Sequence, residues 1–248
     1  MRNALFAFKQ WLVLMLVGLV LLQFFWVGRV AFMAVVDPAS TAFERSQAWQ
    51  IVNRQGRLMW RQTWTPSDQI AKSLKRAVLA SEDSAFTTHY GVWWDAVENA
   101  WRKNAKAQAR VDAQSTQKKN GKVVAPKIVG GSTITQQLAK NLMLSGERTL
   151  IRKAQEWVIT LALETFLSKQ RILTLYLNHV EWGNGVFGAE AAARHYFQKP
   201  ASQLSDWEAA RLAVMLPRPR YFEKLPQSAY LSDRAQTIMA RMNDVALP

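Results

Sequence analysis

Two carboxylates stand side by side at Glu82 and Asp83, in the stretch Ala80-Ser81-Glu82-Asp83-Ser84-Ala85-Phe86-Thr87-Thr88-His89-Tyr90-Gly91. An apolar helical run precedes them and an aromatic loop ending in glycine follows. A carboxylate at a helix end, beside Phe86 and aromatics such as Trp93 and Trp94, is partly stripped of water, which raises its pKa toward the range of a general base. Glu82 is therefore the candidate base, and Asp83 the neighbour that stays ionised and hydrogen-bonded. Acidic pairs also occur as ordinary solvated helix ends, so the rest of the chain has to decide between the two readings.

The second stretch that could do chemistry is Gly130-Gly131-Ser132-Thr133-Ile134-Thr135-Gln136-Gln137-Leu138-Ala139-Lys140-Asn141. Two glycines let a backbone come close to a ligand, and Thr133 with Gln136 forms a capping box. The helix start that follows offers amide groups and a positive dipole, which suits a phosphate. Thr133, Gln137 and Lys140 fall on one helical face. The order of a Walker loop is missing. A third stretch places Arg152, Lys153 and Glu156 within one turn, where Arg152 and Glu156 make either a plain surface pair or a cation beside a second carboxylate.

These groups need elements to hold them. Thr65-Pro66-Ser67-Asp68 predicts a helix from Pro66 to about Glu82, with Ile70, Leu74, Ala77 and Val78 facing inward. Gln50 to Trp60 reads as a short hairpin around Asn53 to Gly56. After a helix through Trp93, Val97 and Trp101, the segment Arg102 to Lys127 loses apolar period and is basic, so it reads as a mobile loop able to lie beside anionic lipid headgroups. Ser115-Thr116-Gln117-Lys118 in that segment matches Ser-x-x-Lys without the companion motifs, a chance match. One helix is predicted from near Thr149 to about Asn178. A glycine-rich turn then leads into a helix from Ala189 to Tyr196. Ser205 caps a further helix that stops at Pro217, and Ser232 starts the last.

From Gln10 to Gly28 there is no charged residue. As a helix this run reaches about 28 Å, close to the hydrocarbon thickness of a bilayer. It is read as a retained spanning helix. Arg2 and Lys9 before it place the N-terminus in the cytoplasm and the following domain outside. Residues 1–36 form the cytoplasmic N-terminus and span, and 37–248 an external domain. The chain has 248 residues, 49% of them hydrophobic, enough for a real core. It has no cysteine, which excludes thiolate catalysis and cysteine-held zinc. A net charge of +14 calls for an anionic partner, whether lipid headgroup, phosphorylated substrate or nucleic acid.

The stretches Glu82-Asp83-x-x-Phe86-x-x-His89-x-Gly91, Gly130 to Asn141, Arg152-Lys153-x-x-Glu156, and Tyr176-Leu177-Asn178 with Gly183-Asn184-Gly185 and Gly188-x-Glu190-Ala191-Ala192 together resemble the peptidoglycan glycosyltransferases of family 51. With a preceding span and no transpeptidase domain, the chain is most similar to the monofunctional members. The resemblance covers about Pro66 to Pro219. It departs at Leu216-Pro217-Arg218-Pro219-Arg220-Tyr221, a basic version of the usual Leu-Pro-x-x-Pro turn.

The resemblance implies a mainly α, lysozyme-like, two-lobed domain that polymerises glycan chains from lipid II at the periplasmic face of the inner membrane. It implies Glu82 and Glu156 as catalytic residues. It implies substrate-binding roles for Asp83, Phe86, His89, Ser132, Thr133, Gln136, Gln137, Lys140, Asn141, Arg152 and Lys153. A divalent cation, Mg or Mn, is an optional helper, with no protein-held metal site assigned. The partners implied are lipid II, the growing glycan, membrane lipid, and penicillin-binding or division proteins, and not nucleic acid. Two alternatives remain: a lysozyme-like or lytic enzyme using the same carboxylates on finished glycan, and a noncatalytic membrane-anchored binding protein.

Overall fold

The computed structural model describes residues 2–117, 131–144 and 149–248, and these are mainly helical. The first element, α1 (Arg2–Phe32), contains an apolar stretch Phe6–Phe32 long enough to cross a membrane. Its outer end is drawn into the domain, where Val30 and Met33 are buried.

The first part of the segment read as a hairpin, Gln50 to Gln55, instead completes α2 (Ala42–Gln55). Thr41 and Glu44 form a reciprocal capping box at its start, and Gly56 closes it in the left-handed conformation. These end signals override the weak apolar period, because the face α2 buries includes a carboxylate. Glu44 accepts hydrogen bonds from Gln62 Nε2 at 3.0 Å and stands 2.9 Å from His179 Nδ1.

The helix predicted from Pro66 is broken. A short 3-10 turn spans Ser67–Gln69, and α3 (Lys72–Glu82) starts after Ala71. Thr65 does not cap it; its backbone amide and carbonyl are both bonded to the Asn178 side chain, at 2.8 and 2.9 Å. On α3 the residues Leu74, Ala77, Val78 and Leu79 are fully buried, which leaves Glu82 at the helix end as the period predicts. Each buried leucine or valine contributes about 1.5–3 kcal/mol.

Helix α4 (Trp94–Gln117) runs through half of the segment read as a loop. Ala105, Ala107, Ala109 and Ala113, with lysine, arginine and glutamine between them, are strong helix formers that need no apolar stripe. Lys118 to Lys127 lie outside the described residues. Helix α5 (Ile134–Met143) carries the capping box expected of Thr133 and Gln136. The long helix predicted next is two, α6 (Leu150–Phe166) and α7 (Lys169–His179). Leu167 is extended and Ser168 caps α7 by accepting from the Arg171 amide.

The antiparallel pair β1 (Glu181–Gly183) and β2 (Val186–Phe187) follows. Gly185, at φ +74°, makes its turn, and a Cβ there would lie 2.2 Å from the Met59 carbonyl oxygen. The chain ends with α8 (Ala189–Phe197), α9 (Asp206–Met215), α10 (Pro219–Glu223) and α11 (Ala229–Met242). The Ser205–Glu208 capping box is present, but α11 begins at Ala229, ahead of Ser232. Helices α3, α9 and α11 pack on one another, while α5 packs against α2, α6 and α7 and α1 lies along α6. The site lies around α5.

Candidate active site

Glu82 ends α3 and faces α5. Gln137 Nε2 donates to Glu82 Oε2 at 3.0 Å, and the Tyr176 hydroxyl donates to Gln137 Oε1 at 3.0 Å. The phenol thereby fixes which end of the Gln137 amide meets the carboxylate. Burial pushes the Glu82 pKa up and the charge of Asp83 adds to that, while the Gln137 hydrogen bond holds it down. Burial, then the two carboxylates, raise the Tyr176 pKa well above the phenol range, so it remains a neutral donor. A half-buried glutamate with a raised pKa and an orienting amide is suited to taking a proton. The indole of Trp94 pairs with Trp157 at 5.5 Å and is 61% exposed.

Asp83 is only 2% exposed, and both its oxygens are engaged. His89 Nε2 lies 2.8 and 3.0 Å from them, and the Ile134 amide donates to Oδ2 at 3.0 Å. Ile134 is the first residue of α5, so the carboxylate occupies the positive end of that helix. The helix start read as a phosphate cradle is thus already filled by a protein anion. Phe86 is buried, edge-on to His89, with Lys169 Nζ 4.6 Å over its ring. Lys169 also donates to the His89 carbonyl and to Glu164. Asp83, Phe86 and His89 form a buried support behind Glu82.

α5 also lines a cleft of about 620 Å³. Ser132, Gln136, Gln137, Lys140 and Asn141 form one wall, and Arg152, Lys153 and Glu156 of α6 another. Glu156 is 4% exposed and held by Arg152 Nη1 at 3.2 Å and Lys153 Nζ at 2.5 Å. One carboxylate amid Lys140, Arg152 and Lys153 leaves the cleft net positive, fitting an anionic group. Among the described residues no cluster of three or more His, Cys, Asp or Glu could hold a metal. With its carboxylate spent on two cations, this donor set does not fit a protein-held divalent ion.

A family model described as transglycosylase matches residues 50–243. The chain belongs to the transglycosylase family. It is 49% identical over 226 residues to the biosynthetic peptidoglycan transglycosylase of Burkholderia thailandensis, covering 91% of this chain and 82% of that one. The protein of the same name from Burkholderia orbicola is 50% identical, with 91% and 85% covered, and that from Burkholderia pseudomallei 49%, with 91% and 82% covered. The transglycosylase is an enzyme with the lysozyme-like helical fold of this family.

In this transglycosylase Gln137 touches both centres, bonded to Glu82 and lining the cleft. Thr133 does not share that face; it is buried and donates to the Gly91 carbonyl at 2.7 Å. Gly131 backs onto α4, where a Cβ would meet the Ala96 carbonyl at 3.1 Å, and Gly130 lies outside the described residues. The third wall consists of Phe43, Ser46, Gln47 and Gln50 from α2, residues the sequence reading passed over. Thr41-x-x-Glu44 was the signal that could have found them. Arg220 belongs to the same frame: Nε donates to Glu181 Oε1 at 2.8 Å and Nη2 to Gln47 Oε1 at 2.5 Å. Arg218 sits at the start of α10 and lines a separate cavity with Tyr221 and Tyr230.

Proposed function

We propose that the protein polymerises peptidoglycan glycan chains from lipid II. Glu82 removes the proton of the 4-hydroxyl of an acceptor lipid II, and that oxygen attacks C1 of the terminal MurNAc of the donor with inversion. The C4–O–C1 bond forms, the bond from C1 to the phosphate oxygen breaks, and undecaprenyl pyrophosphate leaves with the electron pair. Lys140, Arg152 and Lys153 balance the charge growing on the pyrophosphate. Such preorganised stabilisation in a cleft is worth several kcal/mol. Glu156 orients the two cations, Gln137 orients the base, and Ser132, Gln136 and Asn141 contact the substrate. Asp83, Phe86, His89 and Thr133 support these groups from behind.

The observation that carries this reading is Gln137 of α5, which is hydrogen-bonded to a glutamate of raised pKa and lines the cationic cleft as well. A lytic enzyme needs the carboxylate but has no use for the cations. The span of α1 supports a single-pass anchor, with Arg2 and Lys9 in the cytoplasm and the catalytic domain periplasmic at the inner membrane. Exposed Ile151 and Leu161 of α6, which packs against α1, and exposed Trp94 and Trp101 of α4 suit contact with membrane lipid. Penicillin-binding or division proteins are the expected protein partners.

The test is incubation of the detergent-solubilised protein with labelled lipid II, with Lys140→Ala alongside. Moenomycin-sensitive polymer that is lost in Lys140→Ala is the expected result. Cleavage of preformed glycan without polymer, unaffected by Lys140→Ala, would establish the lytic reading instead.

A further inference from the structure

Between Trp11 and Gly28, α1 carries one side-chain amide, Gln23. An amide near the outer end of a spanning helix needs a partner, and this one has it outside its own helix. Gln23 Nε2 donates to Gln155 Oε1 at 3.0 Å, and Gln155 Nε2 donates back to Gln23 Oε1 at 3.1 Å. Gln155 lies on α6 directly before Glu156. That helix turns Arg152, Lys153 and Glu156 to the cleft and leaves Ile151, Val158 and Leu161 exposed, Ile151 by 84%.

A second tether holds α1 farther out. Arg171 of α7 donates from Nε to the Met33 carbonyl at 2.8 Å and from Nη2 to the Val36 carbonyl at 3.1 Å, and it pairs with Asp37 at 2.7 Å. Gln23 and Met33 are about 15 Å apart along a helix. Two fixed points define both the tilt and the rotation of α1 against the domain. With the outer tether alone, apolar contacts leave α1 free to pivot about it, whereas a reciprocal amide pair lower on the helix does not.

We propose that Gln23 and Gln155 are positioning residues for the transfer reaction. Their pair fixes the register of the spanning helix on α6, and so the height of the Arg152–Lys153–Glu156 group above the bilayer. This rests on the lipid-linked donor proposed above, whose pyrophosphate lies at headgroup depth and must meet those cations there.

The chain has no cysteine, so a single Leu161→Cys carries a spin label on the exposed face of α6. The full-length labelled protein is placed in vesicles of phosphatidylethanolamine and phosphatidylglycerol. Label depth is read from collisions with oxygen and with a nickel chelate, and lipid II turnover is measured in the same vesicles. Gln23→Leu, Gln155→Leu and the double variant are each expected to shift or broaden the depth by about 5 Å, the domain pivoting about the Arg171 tether that remains. Each is expected to raise the apparent KM for lipid II about tenfold with a smaller change in kcat. The double variant leaves no amide unpaired and still does not recover. A double variant with parental depth and KM overturns the proposal, because the pair then only satisfies its own hydrogen bonds. A depth change without a KM change, or the reverse, overturns it as well. If the parent does not polymerise lipid II, the functional reading fails separately, and the depth measurement still decides the register.

Discussion

The Gln137 amide donates to the Glu82 carboxylate at 3.0 Å and is itself held by the Tyr176 hydroxyl at the same distance. The hydrogen bond favours the ionised base, against the burial that disfavours it. Gln137→Ala removes that support, so the Glu82 pKa rises further. The acid limb of the rate–pH profile is expected to move to higher pH, with activity at neutral pH down about tenfold. An unmoved acid limb would separate Gln137 from the base.

Glu82→Gln is expected to lower turnover by at least about 10³-fold, the scale of a lost general base. Its effect on stability has the opposite sign. The folded-state pKa of Glu82 lies above the unfolded value, so its contribution is most favourable below the unfolded pKa and is lost as pH rises through the folded one. Thermal melts should show Glu82→Gln above the parent at neutral pH, with the gap narrowing in acid.

Asp83 binds the first amide of α5 and His89 from a buried position, and its replacement acts on the fold before the chemistry. Asp83→Asn is expected to cost about 2 kcal/mol, because two charge-assisted bonds become neutral ones. Denaturant midpoints measure this. A midpoint equal to that of the parent would argue for an exposed, substrate-facing Asp83.

Arg220 pairs with Glu181, whose pKa burial pushes up and Arg220 holds down. Arg220→Ala leaves that carboxylate in place without its cation and frees Gln47 on the cleft wall. The expected loss is about 2 kcal/mol, below the range for fully buried pairs because Arg220 is partly exposed. Glu181→Gln in the same chain should recover part of it in a double-variant cycle.

Much of this site could be read along the chain because its signals are local. The capping boxes at Thr133 and Ser205, the uncharged run of the span and the apolar face that ends at Glu82 each depend on neighbours within one or two turns. What escaped depends on distance or on weak patterning. Tyr176 and Gln137 are 39 residues apart, and Asp83 and Ile134 are 51 apart, so no spacing announces either contact. Helix α2 buries a carboxylate where an apolar residue would have shown the period, and α4 continues through an alanine-rich stretch of high helix propensity. The division of α6 from α7 turns on one capping serine, Ser168, inside a pattern apolar on both sides.

Gln137 and Lys140 occupy α5 three residues apart, about 4.5 Å along its axis. The partner of Glu82 and one cation of the cleft therefore share a rigid rod, anchored at its first amide by Asp83. No loop movement can change their spacing. Under the proposed mechanism the residues stay still and the product has to travel: each added unit would be drawn past a stationary gauge before the next bond forms.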